Sequence, residues 1–206
     1  MSILALTSDT LASPAAAGSI EYASPIFAAT PIGTQRGIIP TQQYYRLDSS
    51  LAGANATGAQ NLLGVGCTLS SSTVYEFEIL AVVVKTAGTT SHSFQLSFGG
   101  TATINNILYA EYSIYGTGGL PGALNQAQGI VTNSTTAQTQ VTTATAAIFM
   151  SFLFKGTVSI NAGGTFIPQY TLSSAPGGAY TTQAGSFIRI APIGASGAAT
   201  NVGTWA

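Results

Sequence analysis

The residues able to do chemistry in this chain are few: one histidine, one cysteine and six acids. Glu76 and Glu78 form the one close acid pair. On one face of a strand they stand about 7 Å apart, near the carboxylate separations that glycoside hydrolysis uses. Any strand with acids two residues apart has that spacing, so the pair reads as solvated or interface carboxylates. His92 lies in "SHSFQLSFGG", on the strand face it shares with Phe94. That face makes it a hydrogen-bonded core histidine rather than a general base. Serines are plentiful, but there is no G-x-S-x-G elbow and no acid near His92 in sequence. Cys67, being alone, excludes an intrachain disulfide and a cysteine-based metal site, and reads as a small buried hydrophobe. No segment gathers enough oxygen donors for a divalent cation. "FGGTA" at 98–102 and "GTGGLPG" at 116–122 lack the spacing of dinucleotide or phosphate loops and read as turns. The sequons at Asn55 and Asn133 have no secretion signal to give them meaning. The expectation is a protein that is not an enzyme and uses no metal and no cofactor.

The elements that position these residues are strands. "TVYEFEILAVVVK" puts Tyr75, Phe77 and Ile79 on one face and Glu76 and Glu78 on the other. "SHSFQLSFGG" points His92, Phe94, Leu96 and Phe98 inward. "NNILYAEYSIY" groups Leu108, Ala110, Tyr112 and Ile114 on one face. "AQTQVTTATAAIFMSFLFKGTVSIN", "TFIPQYTLS", "GGAYTTQAG" and "SFIRIAPIG" continue the pattern. About nine short strands with Gly-, Asn- or Pro-containing turns predict an all-β, jelly-roll-like β-sandwich over residues 41–193. Period two starts at "YYRL", Tyr44 to Leu47. One helical turn is expected within Asn55–Gly66, and a long loop over Gly116–Gln128.

Residues 1–40 read as an extended N-terminal assembly arm. They carry four prolines and only short apolar pieces: Ile3, Leu4 and Leu6, then Ile20 and Tyr22, then Ile26 and Phe27. Such a segment buries too little by itself to offset its backbone entropy. The joint "GTQRGIIPTQQYYRL" brings Arg36 and Arg46 together with aromatic residues. Both arginines are expected to bond backbone carbonyls, Glu21 or Asp48, fixing register where the arm leaves the domain. Residues 194–206 form a small-residue tail ending in Trp205, which reads as an anchor because about 150–250 Å² of ring surface is costly to leave wet.

Only 5% of the 206 residues are charged, and the net charge is −1. Typical soluble domains carry about 25%. Mean hydropathy is +0.37. No field steers the chain to nucleic acid, and two arginines make no basic stripe. The longest apolar runs fall far short of the roughly 18–20 residues of a membrane helix, and no signal peptide is expected at Met1. So little charge protects a free monomer poorly against association, so much of the surface is expected to be covered by partners.

Several segments together resemble a module of tailed-bacteriophage virion proteins. They are "PAAAGSIEY" at 14–22, "RGIIP" at 36–40 leading into "YYRL", "GVGCTLSSSTVYEFE" at 64–78 and "KTAGTTSHSFQLSFGGTAT" at 85–103. The resemblance covers roughly Ser13 to Ile107. One departure is the "ASPIF" after Tyr22, where the family carries Asp-Gly turn residues. The resemblance implies a structural role in a virion. The first expectation is a capsid decoration (cement) protein on the capsid exterior, a homotrimer bound to the major capsid protein. The alternative is a tail- or head-fibre tip that recognises a host-surface glycan. The assembly residues expected are Ile3, Leu4, Leu6, Ile20, Tyr22, Ile26, Phe27, Arg36, Arg46 and Trp205.

Overall fold

The computed structural model describes residues 6–117, 125–132, 135–136, 138–141 and 145–200. Ile3, Leu4, Trp205 and residues 118–124 of the expected long loop lie outside them. The described residues are all β, with no helix. Two antiparallel sheets face each other. The larger places β11 (Asn125–Thr132), β10 (Thr103–Thr117), β13 (Ile148–Ala162) and β8 (Thr73–Lys85) side by side. Along the far side of β8, β16 (Phe187–Ala195) and β15 (Tyr180–Thr182) follow one another. They are flanked in turn by β4 (Gln43–Arg46) and β5 (Leu51–Ala52). The smaller sheet runs β12 (Gln138–Val141), β9 (Phe94–Gly99) and β14 (Gly164–Leu172), with β6 (Gly58–Asn61) and β7 (Cys67–Leu69) sharing the outer side of β14. The chain passes repeatedly between layers, as the jelly-roll-like expectation required.

Inward positions alternate along each strand, so each sheet offers one apolar face. Phe94 is fully buried, stacks on Tyr170 with ring centroids 5.1 Å apart and on Phe152 at 5.9 Å, and meets Tyr180 at 4.9 Å. Phe98 stacks on Phe166 at 4.8 Å and stands edge-on to Tyr109 at 5.0 Å. Gly156 lets β10 and β13 lie close, because a methyl group there would collide with the Leu108 carbonyl and Tyr109.

The structure departs from the sequence expectation at three places. Within the expected extended arm, β1 (Ile20–Ala23), β2 (Ile26–Ile32) and β3 (Gln35–Ile39) form a separate three-stranded antiparallel sheet. Two tight connections, at Ser24–Pro25 and Gly33–Thr34, close it. Its short strands satisfy one another's backbone groups, which an isolated extended arm could not. No helical turn forms in 55–66; β6 and its pairing with β14 claim that segment. The expected 116–128 loop is shorter, since β10 runs to Thr117 and β11 begins at Asn125. Leu108, Ala110, Tyr112 and Ile114 do share one face, and it is the outer one. Ile107, Tyr109, Glu111 and Ser113 take the buried side.

Candidate interaction face

The outer face of the larger sheet concentrates what remains exposed and chemically distinctive. Cross-strand register sets its rows. Ala110, Lys155, Glu78, Arg189 and Tyr44 lie in line across five adjacent strands. The next row is Tyr112, Leu153, Leu80, Phe187 and Arg46. A row with alternating charge therefore adjoins a mainly apolar band. Tyr112 is 53% exposed, and Leu108 and Ile114 extend the apolar surface along β10. Tyr44 stacks on Phe187 at 5.4 Å. Scattered exposed apolar residues are ordinary; a contiguous group on neighbouring strands makes this face the candidate interaction surface.

Of the eleven charged residues in the chain, four (Glu76, Glu78, Lys155 and Arg189) line one cleft on this face. Its volume is about 570 Å³, and Pro40 and Gln42 close its N-terminal side. Arg189 Nη2 donates to Glu78 Oε2 at 2.6 Å. Lys155 and Glu76 are exposed and make no ion pair among the described residues. The chain covers the end of the face beyond this cleft itself: Ser159 and Ala191, both at outward positions, are buried. There β2 comes against β16, and Thr200 lies over Gly194.

The expected assembly residues do not converge on one site. Ile20 is 62% exposed on the edge of the small sheet, while Ile26 is buried. Tyr22 and Phe27 stack across the β1–β2 turn at 4.4 Å. Leu6 is exposed. Arg36 bonds as expected: Nε donates to Glu21 Oε2 at 2.9 Å, and Nη2 to the Ala12 carbonyl at 2.6 Å. This ties the leading segment to the small sheet. Arg46 pairs with Asp48 at 3.1 Å on an exposed edge. The two arginines thus serve different elements and do not form one joint. The apolar band on β10 and β13 had a signal in the sequence. From Leu108 to Ile114 every second residue of β10 is apolar on one face, while the other face carries Ile107, Tyr109, Glu111 and Ser113.

The remaining titratable groups are held by the core. His92 is buried; its Nδ1 lies 2.9 Å from the Thr90 carbonyl and its Nε2 2.8 Å from Tyr180 Oη. A carbonyl only accepts, so Nδ1 donates, and the neutral ring accepts the Tyr180 hydroxyl at Nε2. Burial raises the Tyr180 phenol, and so keeps that donor protonated. Replacing His92 with alanine is expected to cost about 1–3 kcal/mol, because the buried Tyr180 hydroxyl loses its partner. Urea unfolding should show a lower midpoint with an unchanged slope; an unchanged midpoint would contradict this role. Lys85 Nζ donates to the Thr86 and Ala146 carbonyls at 2.9 and 3.1 Å, and desolvation lowers its pKa. Cys67 is half-buried, and burial raises its thiol. Among the described residues no group of three His, Cys, Asp or Glu is placed to hold a metal ion.

No family model matches the chain, and no curated protein matches it in sequence. Among solved structures, one of infectious bursal disease virus, Gx strain, aligns at 9% identity with a TM-score of 0.16. The alignment covers 81% of this chain and 46% of that one, so this chain spans less than half its length. A likeness at that level establishes no shared fold.

Proposed function

We propose that this chain is a structural protein of a tailed-bacteriophage virion, a decoration protein that sits on the capsid exterior as a homotrimer and stabilises the shell. The observation that carries the reading is the bare apolar outer face in a chain with 5% charged residues. Such a surface is poorly suited to a free monomer and well suited to an assembly. The motif set between Ser13 and Ile107 supports a virion setting. His92 is held in the core by hydrogen bonds and Glu78 by Arg189, which supports a role without chemistry for these two side chains. Contact with the major capsid protein falls to the N-terminal segment through Pro40, whose small sheet exposes Ile20 and Ile32.

Particles lacking the protein are expected to lose infectivity sooner on heating or osmotic shock, and to recover when it is added back. A chain starting at Pro40 should fold yet fail to restore them. Equal resistance with and without the protein would contradict the reading. A second reading, a fibre tip that binds a host-surface glycan, draws on the cleft. Its carboxylates, ammonium and guanidinium groups lie at the cross-strand spacing of about 5 Å, and hydroxyls of a sugar ring could bridge them. Saturation-transfer NMR with host lipopolysaccharide O-chains decides between the two, since the decoration reading predicts no transfer.

A further inference from the structure

We infer that the outer face of the larger sheet is the surface on which copies of this chain pack together, with Lys155 of one copy paired to Glu76 of the next. The inference rests on the self-assembling reading above and adds its surface and its contacts. Three observations point to a second copy rather than another occupant. First, one end of this face is already covered within the chain: Ser159 and Ala191 are buried there, and Thr200 lies over nearby Gly194. The remainder, from the row of Leu108 to that of Phe149 and apart from Ala191 and Gly116, is exposed or half-exposed.

Second, size fits. Five strands about 4.8 Å apart and eight residues at about 3.3 Å give a rectangle of roughly 19 by 26 Å, or about 500 Å² in projection. That area, charged row included, is over half of the roughly 800 Å² that one partner gives a standard interface.

Third, the charges complement themselves. Glu78 and Arg189 neutralise each other within the chain. Lys155 and Glu76, one of each sign, are left exposed and unpaired beside the apolar band. A partner of uniform charge would satisfy one and repel the other. A second copy offers both, and the packed band excludes water around the pair, which strengthens it. The band supplies the affinity, and the pair sets the register.

Sedimentation of the full chain tests this. The intact protein is expected to run as a multiple of 20.8 kDa. Leu153→Asp, which sets an unpaired charge in the centre of the band, should run as a monomer with an unchanged β-sheet circular dichroism spectrum. Two milder variants at exposed positions, Lys155→Glu and Glu76→Lys, should each weaken association about tenfold or more, the ratio that 1.4 kcal/mol corresponds to. An equimolar mixture of the two should associate more tightly than either alone, because opposite charges then meet only between unlike chains. A monomeric intact chain overturns the inference, as do variants that associate like the intact chain or a mixture that gains nothing. A monomer that still coats particles would overturn this inference and the homotrimer, and leave the decoration role standing. An oligomer built on this face but absent from particles would do the opposite.

Discussion

Phe94→Ala is expected to destabilise the sandwich by about 3–5 kcal/mol, the range for removing a fully enclosed phenylalanine. Phe94 sits where the two sheets meet, against Phe152 of the larger sheet and Tyr170 of the smaller. It has no exposed surface. The rings around it are themselves fixed: the Tyr170 hydroxyl donates to Gln60 Oε1 at 2.9 Å, and Tyr180 Oη is held by His92 at 2.8 Å. Neighbours tied by hydrogen bonds cannot easily collapse into the space left, so the cavity term is kept in full. Single domains of this size are commonly stable by about 5–15 kcal/mol, so the variant keeps little margin. Urea unfolding measures the change directly. A loss below about 1 kcal/mol would mean that the two layers do not meet at Phe94.

Glu111→Gln is expected to stabilise the protein at pH 8 and to change little at pH 4.5. Glu111 points into the core from β10 with no exposed surface. Its Oε2 accepts from Gln140 Nε2 at 3.2 Å, and its Oε1 has no hydrogen-bond partner among the described residues. Desolvation raises its pKa from 4.5 to about 7. The folded chain therefore binds a proton more tightly than the unfolded chain does. Below about pH 4.5 both states hold it, and the group has no effect on stability. Between 4.5 and about 7 the unfolded chain ionises first, so stability falls as pH rises. Above about 7 the full penalty is present, up to about 3 kcal/mol for a displacement of this size. Glutamine removes the charge while introducing an amide that also wants partners, so the net gain at pH 8 is expected at about 1–3 kcal/mol. Thermal melts of both proteins at the two pH values check it. An equal difference at pH 4.5 and pH 8 would contradict a buried, proton-binding Glu111.

Strand alternation made much of this molecule readable in advance. Tyr75, Phe77 and Ile79 face inward with Glu76 and Glu78 outward, and His92 lies in the core beside Phe94, because a period of two leaves one choice of face once a few apolar residues agree. On β10 the wholly apolar face is not the buried one, because the core takes Glu111 and Ser113 together with Ile107 and Tyr109. Residue types alone would therefore place Leu108, Tyr112 and Ile114 in the core. The small sheet of residues 20–39 was hidden for another reason. Its strands are short and interrupted by proline and glycine, and their pairing depends on contacts between segments rather than on periodicity within one. The charged cleft was hidden because Glu78 and Arg189 are 111 positions apart. Only the pairing of β8 with β16 brings them together. Arg36 with Glu21, and Arg46 with Asp48, were within reach because few acids compete for so few cations.

The number of copies per particle tests the decoration reading most directly. Quantitative mass spectrometry of purified virions, with the major capsid protein as the internal standard, gives that ratio. A decoration protein should be present in hundreds of copies and in fixed proportion to the capsid subunit. A count of a few tens or fewer, or signal confined to tails, would contradict it.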